Sequence, residues 1–157
     1  MIKFTLPNGH EYKITNAVFD YNGTLAEDGV IAGEIKELLE RVGEVVKVTV
    51  LTADTFGLAR MQLENVAGVQ LHIINKGEEA AQKRDFVREC GADNTICFGN
   101  GANDHAMFTE AILAVGVIGH EGAYQLTLAQ ADIVVTNPKD ALLLLLKPGR
   151  LVATLRT

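Results

Sequence analysis

The stretch Ala17-Val18-Phe19-Asp20-Tyr21-Asn22-Gly23-Thr24 decides the fold. A short apolar run ends in a carboxylate, and the chain turns at once through Gly23, a residue that tolerates tight backbone geometry. Upstream, Ile2, Phe4 and Leu6 alternate with polar residues, Pro7-Asn8-Gly9 follows, and Tyr12 and Ile14 resume the alternation. This pattern predicts an antiparallel β-hairpin with an Asn-Gly turn over residues 1–15. Downstream, a helix carries Ile31, Ile35, Leu38, Leu39 and Val42 on one face. Strands are expected at 45–51, 69–74, 95–98, 113–118 and 133–135. Helices are expected at 55–64, 78–90, 103–111, 121–130 and 138–146, with Gly91 stopping the one over 78–90.

Strict alternation of apolar strands and helices predicts an α/β fold: a Rossmann-like, three-layer α/β/α arrangement on a mainly parallel sheet. The chain has 157 residues, which suits one domain over 1–157 with the hairpin as an extension. No repeat or linker interrupts it. In open parallel sheets, ligands bind beyond the carboxyl ends of the strands where strand order reverses. The residues to watch are therefore Asp20 to Thr24, Thr52-Ala53-Asp54, Asn75-Lys76-Gly77, and Gly99-Asn100-Gly101-Ala102-Asn103-Asp104.

Bulk properties exclude several classes. A net charge of −6 argues against nucleic acid and anionic membranes as partners. No apolar run approaches the roughly 20 residues that span a bilayer. Residues 1–6 do not form a signal peptide's apolar block, and Cys90 and Cys97 read as reduced structural thiols, so a cytoplasmic location is expected. His10, His72, His105 and His120 lack zinc-site spacing, and Gly99-Asn100-Gly101 lacks the third glycine of a dinucleotide fingerprint.

Asp20 with Gly23-Thr24-Leu25 resembles the first signature of the haloacid-dehalogenase (HAD) superfamily. Leu51-Thr52-Ala53-Asp54, the helix around Lys83, and Gly99 to Asp104 are similar to successive motifs of the P-type ATPases, themselves HAD members. The resemblance implies a Mg²⁺-dependent phosphatase. Asp20 would attack phosphorus and form an aspartyl-phosphate. Asn22 would occupy the acid-base position and offer its backbone carbonyl to the metal. Thr52, Ala53, Gly23 and a lysine would hold phosphate, and Asp20, Asn22, Asn100 and Asp104 would hold Mg²⁺, with Asp104 also able to act through neighbouring groups. Lys83 and Lys76 both remain candidates for the lysine, with Lys83 preferred.

Two positions depart from the pattern. Asn22 and Asn100 are amides where the family usually has aspartates. An amide transfers no proton at neutral pH, and such help is worth about 10²–10⁴ in rate. Slow turnover is expected, and the alternative is a degenerate phosphate- or partner-binding regulatory domain. The intervals from Asp20 to Thr52 and from Thr52 to Lys83 leave no room for a cap domain. An open site points to a macromolecular phosphorylated substrate, or to a homo-oligomer whose neighbour covers it. A phospho-accepting receiver domain is disfavoured, because its phosphorylated aspartate follows the third strand, where this chain has Asn75.

Overall fold

The computed structural model describes residues 1–54 and 57–157. The elements run β1 (Ile2–Thr5), β2 (Glu11–Ile14), β3 (Asn16–Asp20), α1 (Gly33–Gly43), β4 (Lys47–Thr52), α2 (Leu58–Leu63), β5 (Val69–Ile73) and α3 (Glu79–Cys90). They continue with β6 (Thr95–Gly99), α4 (His105–Glu110), β7 (Leu113–Val117), α5 (Gln125–Leu128), β8 (Ile133–Val135), α6 (Pro138–Leu146) and α7 (Gly149–Leu155). Short 3₁₀ turns precede β6 and α4. The first two residues expected in the second helix lie outside the described residues.

Six strands form one parallel sheet in the order β5-β4-β3-β6-β7-β8. The chain works outward from β3 to β5, then returns to lay β6 on the other side of β3. Strand order therefore reverses between β3 and β6, and a crevice opens beyond their carboxyl ends. Phe19 and Phe98 pair in register and stack with ring centroids 4.3 Å apart, which holds the ends of the two strands side by side.

Side chains alternate across a strand, so each strand feeds two cores. Ala17 and Phe19 join α1, α6 and the hairpin in the larger core. Val18 faces the other way, with Leu51, Cys97, Val87 of α3 and Met107 and Phe108 of α4. Asp20 shares the parity of Val18 and so points toward the α3 side. Both cysteines are free thiols.

Several expectations change. The hairpin does not extend the main sheet; β1 and β2 pair as a separate two-stranded sheet whose Ile2, Phe4, Leu6 and Ile14 enter the larger core. Its turn spans Pro7-Asn8-Gly9, with Gly9 at φ 88° donating its N–H to the Leu6 carbonyl. The helix expected over 121–130 shrinks to α5, because Gly122 at φ 80° turns the chain back on Gly119. β5 is an edge strand and half exposed rather than a buried run. The tail forms α7, and Leu151 packs fully into the chain's own core. No helix among the described residues is long and apolar enough to cross a membrane.

Candidate active site

A cleft of about 390 Å³ opens at the switch point, lined by Asp20, Asn22, Thr52, Lys83, Asn100 and Asn103 among others. Each side chain arrives there for a local reason. Asp20 ends β3, so rigid backbone presents its carboxylate. Lys83 and Val87 are one helical turn apart on α3 and share its buried face. Val87 packs into the smaller core. That contact places Lys83 one turn nearer the strand ends, with only 1% of its surface exposed.

The Lys83 ammonium donates to Asp20 Oδ1 at 2.5 Å and to Asp104 Oδ1 at 2.7 Å. Burial opposes its charge, but the two carboxylates outweigh burial and hold its pKa above lysine's ordinary value. Asp104 is fully buried. Its Oδ2 accepts the N–H groups of Asn100 and Gly101, each at 2.9 Å. Burial first, then the Asp20 charge, pushes the Asp104 carboxyl up to about 6, against the pull of Lys83 and the Gly101 N–H.

Thr52 is buried, and its hydroxyl oxygen accepts the Asp54 N–H at 3.1 Å. Ala53 lines the cleft beside it. Asp54 caps the start of α2, accepting from Ala59 N and Arg60 N. Asn22 lines the cleft and is exposed. Asn100 is tied on three sides. Its Oδ1 accepts the Thr24 hydroxyl at 3.0 Å, its Nδ2 donates to the Gly122 carbonyl at 3.1 Å, and its own carbonyl accepts the Tyr124 N–H at 2.7 Å.

The structure thus gathers Asp20, Asn22, Thr52, Ala53, Lys83 and Asn100 around one cleft. Of the two candidate lysines, Lys83 lines the cleft and Lys76 is exposed on the loop after β5. Two expected site residues sit elsewhere. Gly23 does not line the cleft; its N–H donates to the Ala26 carbonyl, and its φ of 75° lets the backbone pass against the Asn100 amide. Asp104 lies behind Lys83, with both oxygens committed, and reaches the cleft through Lys83 and the 99–101 loop.

Three contributors escaped the sequence reading. Thr24 is buried, with its hydroxyl 3.4 Å from Asp20 Oδ2 as well as bonded to Asn100. Asn103 Oδ1 lies 3.5 Å from the Lys83 ammonium. Thr127 is buried, and its hydroxyl donates to the Gly101 carbonyl at 2.9 Å, bracing the loop from α5. Thr24 and Asn103 both lie inside the quoted motifs, which was the available signal; nothing in the sequence pointed to Thr127.

The oxygen donors on this surface suit a hard divalent cation in kind. Among the described residues, no three His, Cys, Asp or Glu side chains come together as a metal cluster. The candidate donors are the Asp20 carboxylate, the Asn22 carbonyl and the Asn100 amide oxygen.

Solved structures share this architecture. The cobalt-bound deoxy-D-mannose-octulosonate 8-phosphate phosphatase of Haemophilus influenzae aligns with a TM-score of 0.72 at 15% identity, covering 92% of this chain and 94% of that one. The 3-deoxy-D-manno-octulosonate 8-phosphate phosphatase of Moraxella catarrhalis, in complex with magnesium ion, phosphate ion and KDO, aligns at 0.66 with 14% identity, covering 91% and 94%. At such identities the likeness establishes the fold, which solved HAD hydrolases also share. The chain thus has the HAD-like, Rossmann-type α/β fold of these structures.

Two proteins of Methanocaldococcus jannaschii (strain ATCC 43067) are similar in sequence. The uncharacterised protein MJ0073 is 42% identical over 84 residues, 51% of this chain and 90% of that protein. A soluble P-type ATPase-like phosphatase is 30% identical over 120 residues, which cover 74% of this chain but only 44% of that relative's length. No family model matches the chain.

Proposed function

We propose that this chain hydrolyses phosphoric monoesters in the presence of Mg²⁺, using Asp20 as the nucleophile. The observation that carries the reading is the Asp20 carboxylate at the switch point, fixed by the buried Lys83 ammonium at 2.5 Å with Thr52 on the same cleft. The likeness to a soluble P-type ATPase-like phosphatase supports it.

In the first step an Asp20 oxygen attacks phosphorus, the ester P–O bond breaks, and an aspartyl-phosphate forms. Lys83 holds the carboxylate in place and offsets phosphoryl charge. The Thr52 hydroxyl, whose oxygen already accepts from Asp54 N–H, directs its proton to a phosphoryl oxygen. The leaving alcohol takes its proton from water, because Asn22 has none to give. Water then attacks phosphorus, releases phosphate and restores Asp20. Asp20, the Asn22 carbonyl and Asn100 would hold Mg²⁺, which when bound neutralises phosphoryl charge. With no acid-base carboxylate, both steps run slowly.

Between β3 and β4 the chain places one helix, α1, and no inserted domain. An open cleft favours a macromolecular phosphorylated substrate or cover from a second copy. A cytoplasmic setting fits the free, buried Cys97.

The test is hydrolysis of p-nitrophenyl phosphate and a phosphoester panel with Mg²⁺ or EDTA, beside Asp20→Asn. Activity that requires Mg²⁺ and vanishes in the variant is the expected result. A folded protein inactive in every metal would turn attention to the second reading, a regulatory domain that binds phosphate or a partner at the same strand ends. The amides at 22 and 100 are the observation behind that reading.

A further inference from the structure

A second concavity opens beside the cleft. This groove, of about 420 Å³, lies between the loop at 23–32, residues 119–121 after β7, and residues 136–138 at the start of α6. Leu25, Ala26 and Ile35 form its floor and are buried, so the floor belongs to the chain's own core. Val30 and Ala32 stand exposed on its wall, Val30 with 58% of its surface in solvent. The rim is acidic. Glu27, Asp28 and Glu121 line it, and among the described residues no lysine or arginine does. His120 is the one lining group able to carry positive charge, and Lys139, next along α6, is paired with Glu34.

The two halves of the rim are tied together. Glu27 Oε1 meets His120 Nδ1 at 2.6 Å, and Glu121 Oε1 accepts the Asp28 N–H at 2.9 Å. The groove is therefore shaped before anything enters it, which lowers the ordering cost of binding. An apolar floor inside an acidic rim complements an aliphatic side chain beside a lysine or arginine, whose own stem also packs on apolar surface. The same rim repels the phosphate backbone of a nucleic acid.

Groove and cleft lie at the same end of the sheet and share a wall one backbone thick. Gly23 lines the groove, and a Cβ on it would lie 2.3 Å from Nδ2 of Asn100, which lines the cleft. On the groove side, a Cβ on Gly119 would lie 3.1 Å from the Gly23 carbonyl oxygen. A polypeptide laid across Gly23 reaches both hollows. We infer, on the phosphoryl-transfer reading, that the groove holds a basic-apolar segment of a phosphoprotein substrate while its phosphorylated residue occupies the cleft. The aliphatic side chain rests against Val30 and Ala32, and the neighbouring cation meets Glu27, Asp28 and Glu121. With no inserted domain to grip a small substrate, the site draws binding energy from this contact remote from the reacting atoms.

The test uses phosphoserine peptides in which an Arg-Leu pair is moved stepwise along either side of the phosphoserine, beside Glu-Gly controls. The rim variant combines Glu27→Gln, Asp28→Asn and Glu121→Gln, which keeps shape and removes charge; none of the three lines the cleft. One spacing is expected to lower KM at least about 5-fold relative to its control, and the rim variant to erase that advantage with p-nitrophenyl phosphate hydrolysis unchanged. Ala32→Phe, which fills the groove and leaves the rim charges, is expected to act likewise. Unphosphorylated Arg-Leu peptides, titrated into ¹⁵N-labelled protein, are expected to shift the Val30 and Ala32 amides in the wild type and not in the rim variant; the spectrum also reports whether each variant is folded. Hydrolysis with equal KM for every peptide, and no shift at Val30, overturns the docking and leaves the phosphatase reading standing. Shifts at Val30 with no hydrolysis of any phosphoester keep the groove's ligand and overturn the phosphatase reading. A dimer in light scattering that the rim variant dissociates assigns the groove to a second copy and overturns the inference.

Discussion

Lys83 Nζ lies 2.7 Å from Asp104 Oδ1, and neither side chain has more than 1% of its surface exposed. This pair fixes the lysine that Asp20 meets, and it couples the chemistry of the cleft to the stability of the fold. Removing one member of a buried pair strands the other charge, which typically costs about 3–5 kcal/mol. Lys83→Met is expected to lower stability by about that amount in urea denaturation and to abolish p-nitrophenyl phosphate hydrolysis. Lys83→Met with Asp104→Asn, whose amide oxygen can still accept the Asn100 and Gly101 N–H groups, is expected to regain part of the stability and none of the activity. A double variant that remains as unstable as the single one would show that the pair is not what Lys83 supports.

Asp104 also gives stability a pH dependence whose sign follows from its environment. Its carboxyl titrates near 6 in the folded protein, raised from the ordinary 3.8 by burial and by Asp20. Between those values the folded state holds a proton that the unfolded chain has lost. The stability contributed by this group is therefore full below about pH 4 and declines as pH rises through 6. Urea midpoints in metal-free buffer from pH 4 to 8 are expected to carry this downward component, and Asp104→Asn to remove it.

At position 22 the missing proton donor is the expected brake on turnover. Asn22 lines the cleft and is exposed, so a carboxylate there adds charge without a burial penalty. Asn22→Asp is expected to raise kcat toward the 10²–10⁴-fold that general acid-base catalysis typically gives, by about 10² or more. An unchanged kcat with p-nitrophenyl phosphate, whose leaving group needs little protonation, calls for the same comparison with an alkyl phosphate. No gain there would remove the acid-base explanation.

Gly23 is constrained twice. Its φ of 75° is strained for any residue with a Cβ, and that Cβ would lie 2.3 Å from Asn100 Nδ2. Left-handed strain and overpacking each cost of order 1–3 kcal/mol. Gly23→Ala is expected to destabilise the protein by at least about 2 kcal/mol in urea. Because the displaced amide carries the Thr24 and Gly122 hydrogen bonds, chemical shifts at Gly122 and Tyr124 are expected to move with it.

The sequence by itself determined the layers, the strand ends and the identity of the cleft. Apolar runs such as 17–19 and 95–98 read as strands of a parallel sheet because both of their faces are buried. Asp20, Thr52 and Asn100 follow those runs directly, so their placement at one edge of the sheet needed only strand direction and order. Even Lys83 was favoured over Lys76 from the motif surrounding it. The hairpin's independence, the shortness of α5 and the edge position of β5 were less legible, since hydropathy reports burial potential and not which neighbour supplies it.

Tertiary structure alone decided what the polar side chains do. Asp104 looked like a cleft ligand and proved to be a buried brace, because Lys83, 21 residues earlier in the chain, packs over it. Asn100 looked like a diminished aspartate and proved to be a strut, because Thr24, 76 residues before it, and Gly122, 22 residues after it, fill its hydrogen bonds. Hydrophobic periodicity is a local property of the chain and survives in the sequence. A hydrogen bond needs two groups within about 3 Å in the right orientation, and that is fixed only when the sheet and helices have packed.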